Sequence, residues 1–153
     1  MRNFDYASAG LCFVTVCTHR RMCFLGRIEG KDMTVNALGA IVDGQVSRLP
    51  EHLPGVDFDC HVVMPNHVHA IIGLGPRARQ ASPLRLGQVV AAFKSGSARE
   101  INIARKTPGA SVWQRGYHDH VVRDESDLQR IREYVESNPI RWALDPENPA
   151  RES

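Results

Sequence analysis

Apolar and β-branched positions run through Leu11 to Thr18 (LCFVTVCT), which reads as a buried strand closed by a polar turn at His19-Arg20-Arg21. Farther on, Val35, Leu38, Ile41, Val42, Gln45, Val46 and Leu49 recur at helical spacing, and Pro50 is expected to close that helix. The period then changes. Over Val56 to Met64, Phe58, Cys60, Val62 and Met64 alternate with Asp57, Asp59, His61 and Val63, as in a half-buried strand. Pro65-Asn66 marks a turn and alternation resumes over His67 to Leu74, so the pair predicts a β-hairpin. Gly75 to Pro83 is rich in Gly, Pro, Arg and Ser and reads as a loop. Leu86, Val89, Val90 and Phe93 then predict a second helix, with Arg85, Lys94 and Arg99 on its other faces. Gly109 to Val122 reads as a loop leading into a strand near His118 to Val122.

The resulting order, β-α-β-β-α-β, predicts a ferredoxin-like fold: a two-layer α/β (α+β) domain with an antiparallel sheet. One element lies beyond it. Ser126-Asp127-Leu128-Gln129 matches a capping box, Leu128, Ile131 and Val135 continue at helical spacing, and Pro139 should end or kink the helix. That C-terminal helix carries Tyr134 and Asn138.

Composition narrows the class. With 153 residues, 42% hydrophobic and 24% charged, the chain is expected to form one domain over residues 1–153. At this length roughly 68–70% of the unfolded surface is buried, enough for one core. The longest apolar stretches, such as Ala70 to Leu74, fall far short of the roughly 18 residues that a membrane span needs. The start, Met1 to Tyr6, does not resemble a signal peptide. The four cysteines contain no C-x-x-C pair, and reduced thiols in a cytoplasm are the expectation.

The net charge of +2 hides a pattern. Residues 1–74 hold six basic and seven acidic side chains, and residues from Asp124 onward hold four against eight. Between them, Gly75 to Arg123 holds nine basic residues against Glu100 and Asp119, an excess of +7. Such a block suits a polyanion-binding surface, although a solvated set of helix faces and loops would leave the same trace.

His67 and His69 stand two apart on one predicted strand, so both imidazoles project from one face at about 6.6 Å Cα spacing while Val68 points the other way. Two nitrogens could converge on a metal there; surface or hydrogen-bonded histidines are the alternative. His118 and His120 form a second H-x-H around Asp119, and His120 could line the same site. Tyr134 and Asn138 are one helical turn apart. A phenol titrates near pH 10 and is a weak nucleophile unless a cation or base stabilises its oxyanion. A metal held by the histidines could supply that help, with the Asn138 amide oxygen as third ligand; otherwise Tyr134 is a core tyrosine beside Ile131 and Val135.

Five segments together resemble the single-tyrosine HUH transposases, most closely the REP-associated tyrosine transposases of bacterial genomes. They are Phe13-Val14-Thr15-Val16 with Arg20-Arg21, Met64 to Ile72 (MPNHVHAII), Phe93-Lys94-Ser95, Trp113 to Arg123 (WQRGYHDHVVR) and Ile131 to Pro139 (IREYVESNP). The resemblance implies that His67 and His69 are the HUH pair, Tyr134 the nucleophile and Asn138 a third metal ligand, where mobile relatives commonly use glutamine. It implies Mg2+ or Mn2+ as cofactor, and attack by Tyr134 on single-stranded DNA beside a hairpin, giving a 5′-phosphotyrosine and strand transfer. Arg20, Arg85, Lys94, Arg99, Arg105, Lys106, Arg115 and Arg123 are the expected DNA-binding residues, with His120 supporting the site. A bacterial cytoplasmic, nucleoid-associated protein is expected, working as a monomer or homodimer. Two further readings stand beside it: a hairpin-binding module that keeps the fold and the basic block but does not need Tyr134, and a metal-dependent phosphodiesterase that keeps the histidines and uses water.

Overall fold

The computed structural model describes residues 10–75 and 86–149. Among these described residues, six strands and three helices follow in the order β1 (Gly10–Cys17), β2 (Gly26–Glu29), β3 (Asp32–Val35), α1 (Ala37–His52), β4 (Val56–Met64), β5 (His67–Leu74), α2 (Leu86–Arg105), β6 (His118–Val121) and α3 (Glu125–Glu136). Short 3-10 turns cover His19–Arg21 and Trp142–Leu144. Apart from Gly75, the expected loop lies outside the described residues, as does Arg85.

Four strands form one antiparallel sheet in the order β4-β5-β1-β6. With α1 and α2 this is the predicted βαββαβ arrangement. The strand alternation gives the sheet two apolar faces. On one, Val14, Val16, Val63, Val68, Ala70 and Ile72 meet Val42, Val46 and Leu49 of α1 and Val89, Val90 and Phe93 of α2. On the other, Leu11 and Ile71, with Phe13, Cys60 and Val62 beside them, meet Leu128, Ile131 and Val135 of α3. The tyrosine helix therefore covers the face opposite the other two.

Several local expectations are corrected. A two-stranded hairpin, β2 with β3, precedes α1 and has no counterpart in the expected order. Val35 is the last residue of that hairpin, and α1 begins after Asn36, whose side chain accepts a hydrogen bond from the Gly39 amide at 2.9 Å. At its far end α1 runs through Pro50 to His52; the proline forfeits one helical hydrogen bond, but Leu53 N still reaches Leu49 O at 3.0 Å. The alternation in β4 is broken by a register shift between Phe58 and Cys60. The shift turns Phe58 toward α1 and α2 and leaves Cys60 and Val62 toward α3. Asp59, at the irregularity, is paired with Arg132 of α3 at 2.5 Å and 2.6 Å.

The start of α3 also differs from the expected capping box. Asp124, not Ser126, is the N-cap, accepting from the Asp127 amide at 2.8 Å. Asp127 answers by accepting from Arg123 N at 3.1 Å and from His120 Nε2 at 2.9 Å, and it also pairs with Arg130. The Arg123 amide and then His120 hold the Asp127 carboxyl below its ordinary range. The helix ends at Glu136, so Asn138 sits in the following turn rather than in the helix. Its amide still reaches Val135 O at 3.3 Å, which keeps it beside the last helical turn.

Candidate active site

Strand β5 positions the histidine pair. Its alternation sends Val68 into the α1–α2 core and His67 and His69 to the opposite face, where both are almost fully buried. Pairing with β1 sets Thr15 opposite His69 and Cys17 opposite His67. The outer nitrogen of each ring is held. His67 Nδ1 lies 2.8 Å from Asn66 Oδ1, and His69 Nδ1 lies 2.8 Å from Thr15 Oγ1. The orientation of Asn66 is fixed by its amide nitrogen, which donates to the Arg21 carbonyl at 3.1 Å and the Glu147 carbonyl at 2.6 Å. Its Oδ1 must then accept from His67 Nδ1–H, leaving the lone pair of His67 on Nε2. His67 Nε2 and His69 Nε2 stand 3.1 Å apart, facing one another.

The segment after α3 closes the site. Trp142 stacks against His67 with ring centroids 6.1 Å apart, and Asp145 Oδ2 comes within 3.7 Å of His67 Nε2. Ligand atoms of His67, His69 and Asp145 all lie within 4.8 Å of one another, and all three residues are buried. Asn138 is 1% exposed, and its Oδ1 is buried with no hydrogen-bond partner. An orphaned amide oxygen beside two facing imidazole nitrogens and a carboxylate is a donor set that fits a divalent cation.

Tyr134 forms the wall above the pair. Its ring centroid is 5.4 Å from that of His69 and 6.0 Å from that of Phe13, both edge-on. His69, Tyr134, Asp145, His118 and Arg130 line one open cleft of about 570 Å³. Burial pushes both histidines toward the neutral form; His67's charge further lowers His69, while the Asp145 and Glu147 carboxylates oppose the shift at His67. Burial also raises the Tyr134 phenol, against the influence of Asn138, so the tyrosine is a reluctant anion in the absence of added positive charge.

The structure thus brings His67, His69, Tyr134 and Asn138 together. It sets His120 against Asp127 at the start of α3, while its neighbour His118 lines the cleft. Among the expected DNA-binding residues, Arg20, Arg99, Lys106, Arg115 and Arg123 are exposed. Lys94 instead donates to the carbonyls of Gln114 and Gly116, and Arg105 lies over the Phe24 ring at 4.8 Å. Both are engaged within the fold. Sequence reasoning missed Asp145, Thr15 and the role of Asn66. Asn66 directly precedes the histidine pair, which is a usable signal; Asp145 follows no motif.

The family described as Transposase IS200 like matches residues 53–138. The chain belongs to this IS200-like transposase family. An uncharacterized protein of Haemophilus influenzae is 33% identical over 162 residues, covering 95% of this chain and 88% of the relative. A protein of the same bacterium named as a REP-associated tyrosine transposase is 26% identical over 83 residues, covering 52% of this chain and 47% of that one. Among solved structures, a REP-associated tyrosine transposase bound to a REP hairpin superposes with a TM-score of 0.62 at 19% identity, covering 86% of this chain and 67% of that chain. A protein of Deinococcus radiodurans described as a transposase superposes with a TM-score of 0.58 at 21% identity, covering 89% of this chain and 94% of that chain. The resemblance read from the sequence and the predicted fold class are both borne out. Among the described residues, no helix is long and apolar enough to cross a membrane.

Proposed function

We propose that this IS200-like transposase cleaves and rejoins single-stranded DNA beside a REP-type hairpin, with Tyr134 as nucleophile. The observation that carries the reading is the convergence of the facing His67 and His69 nitrogens with the Tyr134 ring, His69 and Tyr134 both lining one open cleft. Tyr134 Oη attacks the phosphorus of a phosphodiester, the P–O3′ bond breaks, the phenolic proton passes to solvent, and the freed 3′-oxygen takes up a proton. The product is a 5′-phosphotyrosine with a free 3′-hydroxyl. One phosphoester replaces another, so a 3′-hydroxyl can reverse the step without an energy source.

His67, His69 and Asn138 would hold Mg2+ or Mn2+, which supplies charge neutralisation at the non-bridging phosphate oxygens. Asn66 and Thr15 orient the two imidazoles; Phe13 and Ile131 flank the tyrosine. Arg20, Arg99, Lys106, Arg115 and Arg123 are suited to phosphate contacts that set the register of the hairpin rather than read its bases.

The test is incubation with labelled hairpin-bearing single-stranded DNA and Mn2+. A denaturation-resistant adduct is expected from the wild type and not from Tyr134→Phe. An adduct that survives in Tyr134→Phe, or cleavage without any adduct, would overturn the assignment.

A further inference from the structure

The acidic stretch after the tyrosine helix has no place in the chemistry just described, yet it contributes a buried carboxylate to the histidine pair. Asp145 is 5% exposed and emerges from the Trp142–Leu144 turn. A carboxylate buried this deeply is normally paired or bound to a metal. Asp145 Oδ2 faces His67 Nε2 at 3.7 Å, too long for a hydrogen bond. Ligand atoms about 2.1 Å from a shared ion stand about 3.0 Å apart at a right angle and about 3.4 Å apart at a tetrahedral one. The 3.1 Å between the histidine nitrogens falls in that range, and the 3.7 Å to Asp145 lies about 0.3 Å beyond it, a gap that a small side-chain shift closes.

The carboxylate is also held in place. Asp145 Oδ1 accepts from the Glu147 amide at 2.8 Å, which leaves Oδ2 turned to the histidines. Asp145 N reaches Trp142 O at 3.0 Å, Asn148 N reaches Asp145 O at 3.0 Å, and Asn148 Nδ2 donates to Trp142 O at 2.9 Å. The turn is tied to the site's own supports. Asn66, which fixes the His67 ring, donates to the Glu147 carbonyl, and Arg21 pairs with the Glu147 side chain at 3.2 Å.

We propose that Asp145 is a ligand of the divalent cation, delivered by residues 142–148, so that the centre is built from two imidazoles, a carboxylate and the Asn138 amide. The inference rests on the metal site read above and adds a ligand of opposite charge to it. Ion binding and docking of the 142–148 segment are then one event, because the carboxylate cannot reach the ion unless the turn is seated on Asn66 and Arg21.

The experiment measures Mn2+ binding to the whole protein by loss of the free-ion paramagnetic resonance signal. Asp145→Asn, which keeps the shape and the Glu147 contact, is expected to weaken binding at least tenfold while preserving the circular dichroism spectrum. In the wild type, saturating Mn2+ is expected to slow amide exchange at Asp145, Glu147 and Asn148; this arm decides the matter even if the variant does not fold. Equal Mn2+ affinity in Asp145→Asn, or exchange in 145–148 unchanged by Mn2+, overturns the inference. His67→Ala separates the two readings. Loss of binding in His67→Ala with none in Asp145→Asn sinks the Asp145 assignment alone, whereas binding retained in His67→Ala sinks the metal site itself.

Discussion

The two faces of the four-stranded sheet draw on alternate residues of the same strands, and they differ in what they bury. The face under α1 and α2 is closed by Val, Ile, Leu and Phe side chains and has the densely apolar make-up of an ordinary core. The face under α3 is apolar only toward Leu11, Ile71, Leu128 and Ile131; toward the other end of β5 it buries His67, His69, Asn66 and Thr15. Packing disposes of the first face with one kind of contact. The second needs every polar group matched to a partner, and Asn138 Oδ1 is left over. The first face is held by apolar packing, and the second carries the polar groups to which the proposed function assigns a ligand.

The sharpest way to break this contrast is to remove a polar support from the second face. Thr15→Val takes away the partner of His69 Nδ1 and is expected to weaken Mn2+ binding by roughly 10–100-fold, with Thr15→Ser restoring it. Unchanged affinity in Thr15→Val would mean that the ring needs no outside positioning. The converse change is Val68→Ala, on the same strand but facing the first core. It should cost about 2 kcal/mol, roughly 4–8 °C in Tm, and leave Mn2+ affinity within about threefold. A larger loss of metal than of stability would erase the distinction between the faces.

Acid provides a gentler probe. Burial depresses both His67 and His69 below 6.5, so the unfolded chain takes up protons near that pH while the folded chain resists them. Stability is expected to be full above about pH 6.5 and to fall as the pH drops toward 5, with a shallower fall in His69→Gln. A melting temperature independent of pH across that window would contradict the buried neutral pair. The smallest effect belongs to the exposed cations. Lys106→Ala or Arg115→Ala should weaken hairpin binding a few-fold and reduce the slope of log affinity against log salt by about 1. Salt-independent binding would remove the basic segment from the interface.

Much of this architecture was legible because it depends on local periodicity. The alternation His67, Val68, His69 determines which side chains share a face, and the spacing of Val89, Val90 and Phe93 determines the buried side of α2. Other features hid because their causes are not local. The strands β2 and β3 are four residues each and only half-buried on one side, too short for periodicity to register. The irregularity at Asp59 reverses the face of Phe58, and its partner, Arg132, lies on a helix far along the chain. Asp124 outcompetes Ser126 as a cap because Asp127 is also claimed by Arg123 and His120.

What the sequence determined by itself is the order of elements, the pairing of His67 with His69 on one strand face, and a tyrosine on the closing helix. Each follows from a repeat of two or of 3.6 residues acting over a few positions. The completed site was decided only by tertiary structure. Asn138 lies past the end of its helix and Asp145 in an irregular turn, where no period constrains a side chain's direction. Asn138 is held by its amide at Val135 O, and Asp145 reaches the histidines because Asn66 and Arg21 grip the backbone and side chain of the 145–148 turn, contacts made across about eighty to one hundred and twenty-five residues of chain. Spacing along a chain cannot encode such contacts; packing can.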